Sequence, residues 1–110
     1  MSATLCDQLI DRGVAELQAE RYAHAARTLA EAHELAPNDA EILSLLGLAL
    51  ARSGKTTEAG PMLARAVELE PAEPGFAMNL AEWHAAKGEA DVGIAVLQKA
   101  LAQAPDRPRA

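Results

Sequence analysis

The chain has 110 residues, of which 50% are hydrophobic but only 3% aromatic, and its formal net charge is −6. This length suits one domain, and the composition requires a core built from Leu, Ala, Val and Ile. The lack of a long apolar run argues against a membrane span, and the acidic balance argues against nucleic acid as a partner because phosphate groups repel it.

The first residues predict neither export nor a disulfide. Residues 1–7 lack a basic region and a long apolar stretch, which argues against a secretory signal, so we expect a cytoplasmic location. The single cysteine, Cys6, is expected to be a buried or half-buried thiol at the start of the first helix. His24 and His33 lie nine residues apart, and no Cys-x2-Cys or His-x3-His pair occurs, so we expect no metal and no cofactor.

Apolar residues at helical spacing predict six helices connected by short turns. The first covers about residues 6–19, the second covers about residues 22–35, and the third and fourth are contained in residues 40–73. On the first helix, Arg12 and Glu16 are spaced i, i+4, and we expect them to pair on a solvated surface as an end cap of the fold.

Capping residues and prolines mark the helix boundaries. Pro37 ends the second helix, and Asn38 with Glu41 has the spacing of a capping-box variant for the third. Thr56 or Thr57 should cap the fourth helix, because a threonine side chain can accept a hydrogen bond from a free amide of the first turn.

Two further prolines and a tryptophan lead to predictions about the fourth and fifth helices. Pro61 falls inside the fourth helix, where it removes about one backbone hydrogen bond, and we expect a slight kink or a shifted start. Pro74 fits the first turn of the fifth helix. Trp83 is expected to cover an edge left open by the absence of a fourth helix pair.

The sixth helix carries two apolar faces. Ile94, Leu97 and Leu101 form one face, which the fifth helix can cover. Val92 and Val96 begin a second face, which no following helix covers, although terminal repeats normally have a polar outer face. We therefore predict self-association through the sixth helix, or else that the chain is cut from a longer array.

One two-helix unit occurs three times in the chain. Pro37, Pro71 and Pro105 are 34 residues apart, and shifting the chain by 34 residues aligns small residues with small ones and apolar with apolar. The aligned columns are Gly13, Gly47 and Ala81; Ala25, Ala59 and Gly93; Leu29, Leu63 and Leu97; Ala32, Ala66 and Ala100; and, in the inter-helix turn, Glu20, Gly54 and Gly88. A 34-residue period of this kind indicates a helical repeat.

The central unit reads Leu43-x2-Leu46-Gly47-x2-Leu50, then Ala59-x3-Leu63, Ala66 and Pro71. This pattern resembles the tetratricopeptide repeat (TPR) family, with leucine in place of its three aromatic residues. The resemblance covers nearly the whole chain, in repeats of about residues 6–39, 40–73 and 74–107, with a frayed tail at 106–110. It implies an all-α fold: a right-handed solenoid of three helix-turn-helix units in a single domain.

One segment imitates an enzyme motif. Residues 49–56 satisfy the loosest form of a nucleotide-binding P-loop, with Ala49 in place of the first glycine. A P-loop needs a preceding strand and free backbone amides, whereas residues 49–53 form the end of a predicted helix. Gly54 also aligns with Gly88 as the turn residue of the repeat. No catalytic triad is recognisable either, so we expect no enzyme activity.

In the family, the first helix of each unit lines a concave groove that binds ligands, and the resemblance assigns this role to thirteen residues. They are Asp7, Ile10, Asp11, Val14 and Leu17 from the first helix, Glu41, Ser44, Leu45, Leu48 and Arg52 from the third, and Met78, Asn79 and Glu82 from the fifth. The family's clamp for a C-terminal carboxylate is absent, because apolar residues such as Ile10, Leu45 and Met78 take its places. The groove should have an apolar floor and an acidic rim and bind a peptide or helix with apolar anchors and some basic residues. Alternatively, some of these side chains only pack between repeats.

The resemblance leaves three functions open. The first is a non-enzymatic protein–protein interaction module that presents the groove to a peptide. The second is a chaperone similar to the small three-repeat proteins that mask export subunits in bacterial secretion systems. The third is the N-terminal arm of a larger enzyme, similar to repeat-bearing glycosyl- or sulfotransferases. The fold does not identify the ligand.

Overall fold

A computed structural model describes residues 4–103, which form six α-helices and no strand. The helices are α1 (Leu5–Gln18), α2 (Tyr22–Leu35), α3 (Ala40–Arg52), α4 (Thr56–Leu69), α5 (Pro74–Ala86) and α6 (Ala90–Gln103). The predicted all-α fold of three helix pairs is confirmed. None of these six helices is long and apolar enough to cross a membrane. The predicted frayed tail lies outside the described residues.

The helices are arranged in two layers. Each helix contacts the next one along the chain, and α1, α3 and α5 also contact one another in succession. Within residues 4–103, α2, α4 and α6 make no such mutual contacts. The first helices of the pairs therefore form an inner layer whose members contact one another, and the second helices form an outer layer whose members, within this range, do not. This arrangement is a solenoid, in which each helix pair contacts only its neighbours.

The turn inside each helix pair has the same hydrogen-bond pattern in all three repeats. A residue in the left-handed conformation follows each first helix: Glu20 at φ 60°, Gly54 at φ 91° and Gly88 at φ 82°. The amide after it donates to a carbonyl of the last helical turn at 2.8 Å, in the pairs Arg21–Glu16, Lys55–Leu50 and Glu89–His84. This is the Schellman motif, in which glycine is the usual left-handed residue. The aligned turn column therefore corresponds to one repeated backbone structure.

The core depends on close approach at the small-residue columns. A Cβ atom on Gly47 would lie 2.6 Å from Cγ of Leu63, and one on Gly13 would lie 2.6 Å from Cγ of Leu29. In the third pair the glycine is on the other helix, and a Cβ atom on Gly93 would meet the backbone of α5 at 2.8 Å. The largest buried cluster consists of Ala25, Leu29, Leu46, Ala49, Leu50, Ala59, Leu63 and Leu80.

Two predicted helix caps are wrong, because a neighbouring residue takes the position. The cap of α3 is Asp39, whose carboxylate accepts a hydrogen bond from the amide of Ile42 at 3.1 Å, and not Asn38. Helix α4 begins at Thr56, and its cap residue is Lys55, which makes no side-chain cap bond. Since Lys55 also closes the preceding Schellman turn, the chain passes from that turn directly into α4 and neither threonine caps it.

The starts of α1 and α5 are capped by side chains. The hydroxyl of Thr4 accepts a hydrogen bond from the amide of Asp7 at 3.1 Å, and the carboxylate of Asp7 accepts one from the amide of Thr4 at 3.4 Å. This reciprocal capping box was not predicted. Pro74 is the first residue of α5, as predicted, and the carboxylate of Glu73 accepts from the amide of Gly75 at 3.2 Å.

The prediction that Trp83 covers the open C-terminal edge is wrong. Its ring faces back toward α4, where a Cβ atom on Gly60 would lie 2.5 Å from Cζ2 of Trp83. The indole Nε1 donates a hydrogen bond to the carbonyl oxygen of Thr56 at 2.9 Å. The missing side chain at position 60 leaves the space that the ring fills. Helix α4 is continuous through Pro61.

In α1 one prediction is confirmed and one is wrong. Cys6 is half-buried, as expected. Glu16 does not pair with Arg12; instead its carboxylate accepts a hydrogen bond from the hydroxyl of Thr28 in α2 at 2.6 Å. Thr28 is only 2% exposed, and a buried hydroxyl needs such a partner.

The predicted faces of α6 are partly reversed. Val96 packs against the central cluster, whereas Ile94 is 53% exposed and Leu101 is 66% exposed. Gly93 packs against the backbone of α5, and Val96, three residues further on, lies on the same helical face, whereas Ile94 does not. Val92 is exposed, as predicted.

Candidate peptide-binding groove

The candidate groove lies in the inner layer, between α3 and α5. Positions i, i+4, i+7 and i+11 from Glu41 to Arg52 form a single stripe along α3, because residues at this spacing share one helical face. The buried face of the same helix contains Leu43, Leu46 and Leu50, which the central packing requires. Because the two stripes lie on different faces of α3, the leucines of one stripe enter the core while the side chains of the other face the groove.

Two cavities in this groove collect eight of the thirteen predicted residues. The Glu41 cavity, of about 290 Å³, is lined by Glu41, Ser44, Leu45, Met78 and Asn79 together with Gly75 and Phe76. The Leu48 cavity, of about 210 Å³, is lined by Leu48, Arg52, Asn79 and Glu82 together with Ala51, Thr56, Leu63, Trp83 and Ala86. Asn79 borders both, so the two cavities are consecutive parts of one groove.

The floor between the two cavities contains one polar pair. The side-chain amide of Asn79 donates a hydrogen bond from Nδ2 to the hydroxyl of Ser44 at 2.9 Å. Ser44 is only 1% exposed, so its hydroxyl is used within the fold. Asn79 is half-buried, and a side-chain amide has further donor and acceptor capacity beyond this one bond. The Asn79 side chain borders both cavities, so its remaining donor and acceptor sites are available to a ligand in either one.

At the Leu48 end, the charges of the groove are partly balanced. The guanidinium of Arg52 lies 3.9 Å from the carboxylate of Glu82 and 5.8 Å from the ring centroid of Tyr22. Both charged side chains are well exposed, so water weakens their attraction. Among residues 4–103, Glu41 at the other end takes part in no ion pair, and the acidic character of the groove is therefore strongest there.

The five predicted residues of α1 have mixed positions. Asp7 and Asp11 are exposed, and Asp7 also belongs to the capping box. Ile10 packs against a small buried cluster at the start of the fold, and Leu17 packs against the central cluster. Val14 is half-buried. Ile10 and Leu17 therefore pack within the fold, which is the alternative given above for the predicted groove residues.

Two aromatic residues that line the groove were not predicted from the sequence. Phe76 lines the Glu41 cavity, and Trp83 lines the Leu48 cavity. Phe76 and Trp83 are the repeat equivalents of Ile42 and Ala49, 34 residues earlier. Both of those residues are buried, so the repeat alignment assigns the two aromatic residues to the core and not to the groove. The signal available in the sequence was their size, because aromatic side chains are too large to be covered completely at a repeat junction.

A second polar cluster lies at the turn between α5 and α6. The Nδ1 atom of His84 is 2.9 Å from Oε1 of Glu89, and the ammonium of Lys87 is 3.6 Å from the same oxygen. The hydrogen bond with His84 lowers the pKa of the Glu89 carboxyl, and the charge of Lys87 adds to the effect. The ammonium also lies 4.0 Å from the ring centroid of Trp83. These contacts fix the turn.

Possible metal ligands and the P-loop look-alike can both be placed in the structure. Across residues 4–103, no three His, Cys, Asp or Glu side chains come together as metal ligands. The P-loop look-alike consists of the last residues of α3 followed by the turn at Gly54. The amides of Ser53, Gly54 and Lys55 donate to carbonyls of the last turn of α3.

Solved structures share this fold. PcrH, in complex with the chaperone-binding region of PopB, superposes with a TM-score of 0.80 at 24% identity and covers 93% of this chain and 82% of that one. The Yersinia enterocolitica chaperone SycD, in complex with a peptide of the translocator YopD, gives a TM-score of 0.79 at 23% identity over 94% of this chain and 82% of that one. MamA from Desulfovibrio magneticus gives a TM-score of 0.79 at 23% identity over 86% and 53%.

Sequence comparison gives one longer relative and the family itself. Cellulose synthase operon protein C of Pseudomonas fluorescens is 32% identical over 94% of this chain, which spans only 9% of that protein. Two tetratricopeptide repeat models match, one over residues 10–74 and the other over residues 50–110. Each covers more than half of the chain, and together they extend from α1 through α6. The chain is a member of the tetratricopeptide repeat family, whose folds serve as protein-interaction modules.

Proposed function

We propose that the groove between α3 and α5 binds a peptide or a short helix that carries apolar anchors and some basic residues. The observation that carries the proposal is the position of Leu48. It lies on the inner face, half-buried in a cavity, and it belongs to none of the buried clusters. A large apolar side chain in a concave site, outside the core, suits contact with an apolar anchor of a partner.

The charges suggest the flanks of such a partner. Glu41 is exposed at one end of the groove, and the chain as a whole has a net charge of −6. Rim charges mainly affect the association rate and its salt dependence, whereas buried apolar anchors supply affinity. Lysine or arginine next to the anchors would therefore speed binding to the Glu41 end without being essential for it.

Two of the structural relatives support this class of function. The SycD structure contains a peptide of YopD, and the PcrH structure contains the chaperone-binding region of PopB. At identities below 25% they support the fold and the general mode of peptide binding, and the chemistry of the ligand here is argued from this chain's own groove. They also favour a second candidate, that the protein is a chaperone for another polypeptide in the cytoplasm.

The test uses a designed probe. A fluorescein-labelled amphipathic peptide carries leucine at i, i+4 and i+7 with lysine on its flanks, and two matched peptides replace either the leucines by serine or the lysines by glutamate. Fluorescence anisotropy should show binding of the first peptide. We expect loss of at least about tenfold in affinity without the leucines, and a smaller loss without the lysines that shrinks as salt is added.

Variants then locate the site. Leu48→Asp should abolish binding of the leucine–lysine peptide without lowering the melting temperature much, because Leu48 is outside the core clusters. Glu41→Lys should weaken binding mildly. The matched control is Leu35→Asp, the same substitution at a leucine of α2 that is 54% exposed. Full affinity in Leu48→Asp would place the site elsewhere, and collapse of its fold would show that Leu48 is a core residue.

A further inference from the structure

The C-terminal end of the solenoid carries a second groove that repeats a structure seen twice inside the molecule. This C-terminal groove lies between α5 and α6 and is almost wholly apolar. Its lining consists of Met78, Ala81, Glu82, Ala85, Ala90, Gly93, Ile94 and Leu97. Subtracting 34 from these numbers gives positions on α3 and α4, and subtracting 68 gives positions on α1 and α2. Helix α5 packs against part of the first equivalent groove and leaves the Leu48 cavity open beside it, and α3 packs against the second.

The contacts that α5 makes with α3 and α4 indicate which residues such a surface accepts. Helix α5 places Leu80 in the central cluster with Ala59 and Leu63, the equivalents of Gly93 and Leu97, and it places Phe76 against a neighbouring cluster that includes Ala66. One turn further on, the ring of Trp83 sits on Gly60. Positions i, i+4 and i+7 of the incoming helix therefore make the contacts.

Helix α3 follows the same rule on α1 and α2. Its residues at i, i+4 and i+7 are Ile42, Leu46 and Ala49, which are all buried. Ile42 packs with Leu9 of α1, while the other two belong to the central cluster. The two internal junctions thus share a pattern of large apolar residues at i and i+4, while the residue at i+7 varies from alanine to tryptophan.

The variation at i+7 follows the residue that faces it. In the column of positions 26, 60 and 94, Gly60 leaves room for the ring of Trp83. Ala26 occupies the column where α3 brings only Ala49. The C-terminal groove has Ile94 at this place, and it is 53% exposed. A helix docking here in the same register must therefore carry a small residue at i+7.

This chain does not supply that helix in a head-to-tail stack. The positions of α1 equivalent to Ile42, Leu46 and Ala49 are Gln8, Arg12 and Ala15, which are all exposed. Arginine at i+4 would be moved from water onto an almost wholly apolar surface, at high cost. By sequence, residues 104–110 contain two prolines and no large apolar side chain, and so they do not match the pattern.

We infer that the C-terminal groove is a docking site for an amphipathic helix of a partner protein, with large apolar residues at i and i+4 and a small residue at i+7. The site is distinct from the groove between α3 and α5, although Met78 and Glu82 border both. At the two internal junctions, helices with this pattern already pack against the equivalent surface.

The probe is a labelled peptide of residues 38–55, which contains Ile42, Leu46 and Ala49 and is extended by lysines for solubility. Its partner probe carries Ala49→Trp. The first peptide should bind the wild-type protein, and the Trp peptide should bind at least about tenfold more weakly, because Ile94 leaves no space for the ring. In an Ile94→Gly protein the preference should reverse. Circular dichroism checks that each variant is folded.

Two further variants separate this site from the candidate groove. Ile94→Asp should abolish binding of the 38–55 peptide, whereas Leu48→Asp should leave it unchanged, even though Leu48→Asp removes binding of the leucine–lysine peptide. The inference is overturned if the 38–55 peptide does not bind, or binds Ile94→Asp as well as wild type. It is also overturned if sedimentation shows a wild-type dimer that Ile94→Asp converts to monomer, because a second copy would then be the occupant.

Discussion

The contact between Gly47 and Leu63 gives the most direct test of the packing register. In Gly47→Ala, the new Cβ atom would lie 2.6 Å from Cγ and 2.7 Å from Cδ2 of Leu63, and 3.2 Å from its backbone nitrogen. Leu63 is 1% exposed and cannot rotate away into solvent, and the backbone contact requires that the two helices separate. Overpacking of this kind costs about 1–3 kcal/mol.

A gain in helix propensity opposes this cost. Alanine in a helix interior is favoured over glycine by about 1 kcal/mol, so the net loss of stability should be about 1 kcal/mol and smaller than the overpacking cost. Gly75→Ala is the matched control. Gly75 is in the first turn of α5, has no positive φ, and a Cβ atom there would meet nothing closer than 3.5 Å. This variant should be neutral or slightly stabilised.

Urea unfolding followed by circular dichroism measures both variants. Gly47→Ala should unfold at lower urea than wild type with an unchanged slope, and Gly47→Leu at lower urea still, because more volume is added to the same contact. Adding Leu63→Ala should remove most of the penalty of Gly47→Ala, so that the two changes are not additive. If Gly47→Ala were as stable as Gly75→Ala, the assigned packing register would be wrong.

Three further predictions concern single contacts. Glu20→Gly should raise stability by about 0.5–1 kcal/mol in urea unfolding, because Glu20 has φ 60° and glycine adopts this conformation at lower cost, whereas Glu20→Ala should not. Trp83→Phe should lower stability by about 1 kcal/mol, since it keeps much of the ring contact but removes the hydrogen bond to Thr56, and an unchanged urea midpoint would contradict that role. The pKa of Glu89 is lowered in the folded protein, chiefly by its hydrogen bond with His84, so the stabilising contribution of this carboxylate is present above its unfolded-state pKa and is lost as the pH falls through the folded-state pKa. The melting-temperature difference between wild type and Glu89→Gln should therefore be largest near neutral pH and vanish in strong acid; a difference independent of pH would contradict the assignment.

The repeat explains why so much of the fold could be predicted. A 34-residue period constrains every column three times, so an error in one unit is corrected by the other two. The close approach at Gly13 and Gly47 and the turn at Gly54 and Gly88 were all readable as columns of small residues. What the period predicts is backbone arrangement, because all units share it.

Features unique to one repeat were the ones missed. The direction of Trp83 depends on Gly60 in the neighbouring unit, and the partner of Glu16 is a threonine on another helix. Such pairs are set by contacts between helices, which no periodicity within a single helix reveals. The caps at Asp39 and Lys55 recur at Glu73 and Arg21, and they were missed for a different reason, because the turn before each helix decides where the helix starts.

In the candidate groove, the resemblance to the family was enough to place eight residues around two cavities, but not to say which side chains were free. Ser44 is in the predicted set, yet it is buried and bonded to Asn79. Ile10 and Leu17 also contribute to packing. Exposure of an individual side chain depends on how closely neighbouring repeats approach, and that distance varies with the residues at each junction.

The contact between Gly60 and Trp83 has a consequence for how the chain acquires its structure. Gly60 is followed directly by Pro61, and these are the two residue types least favourable inside a helix. Helix α4 therefore has little tendency to form by itself, and the indole that covers position 60 belongs to α5, which is made later on the ribosome. The central repeat should consequently remain incomplete during synthesis until the third repeat has emerged, so that the order of folding runs backward across this junction.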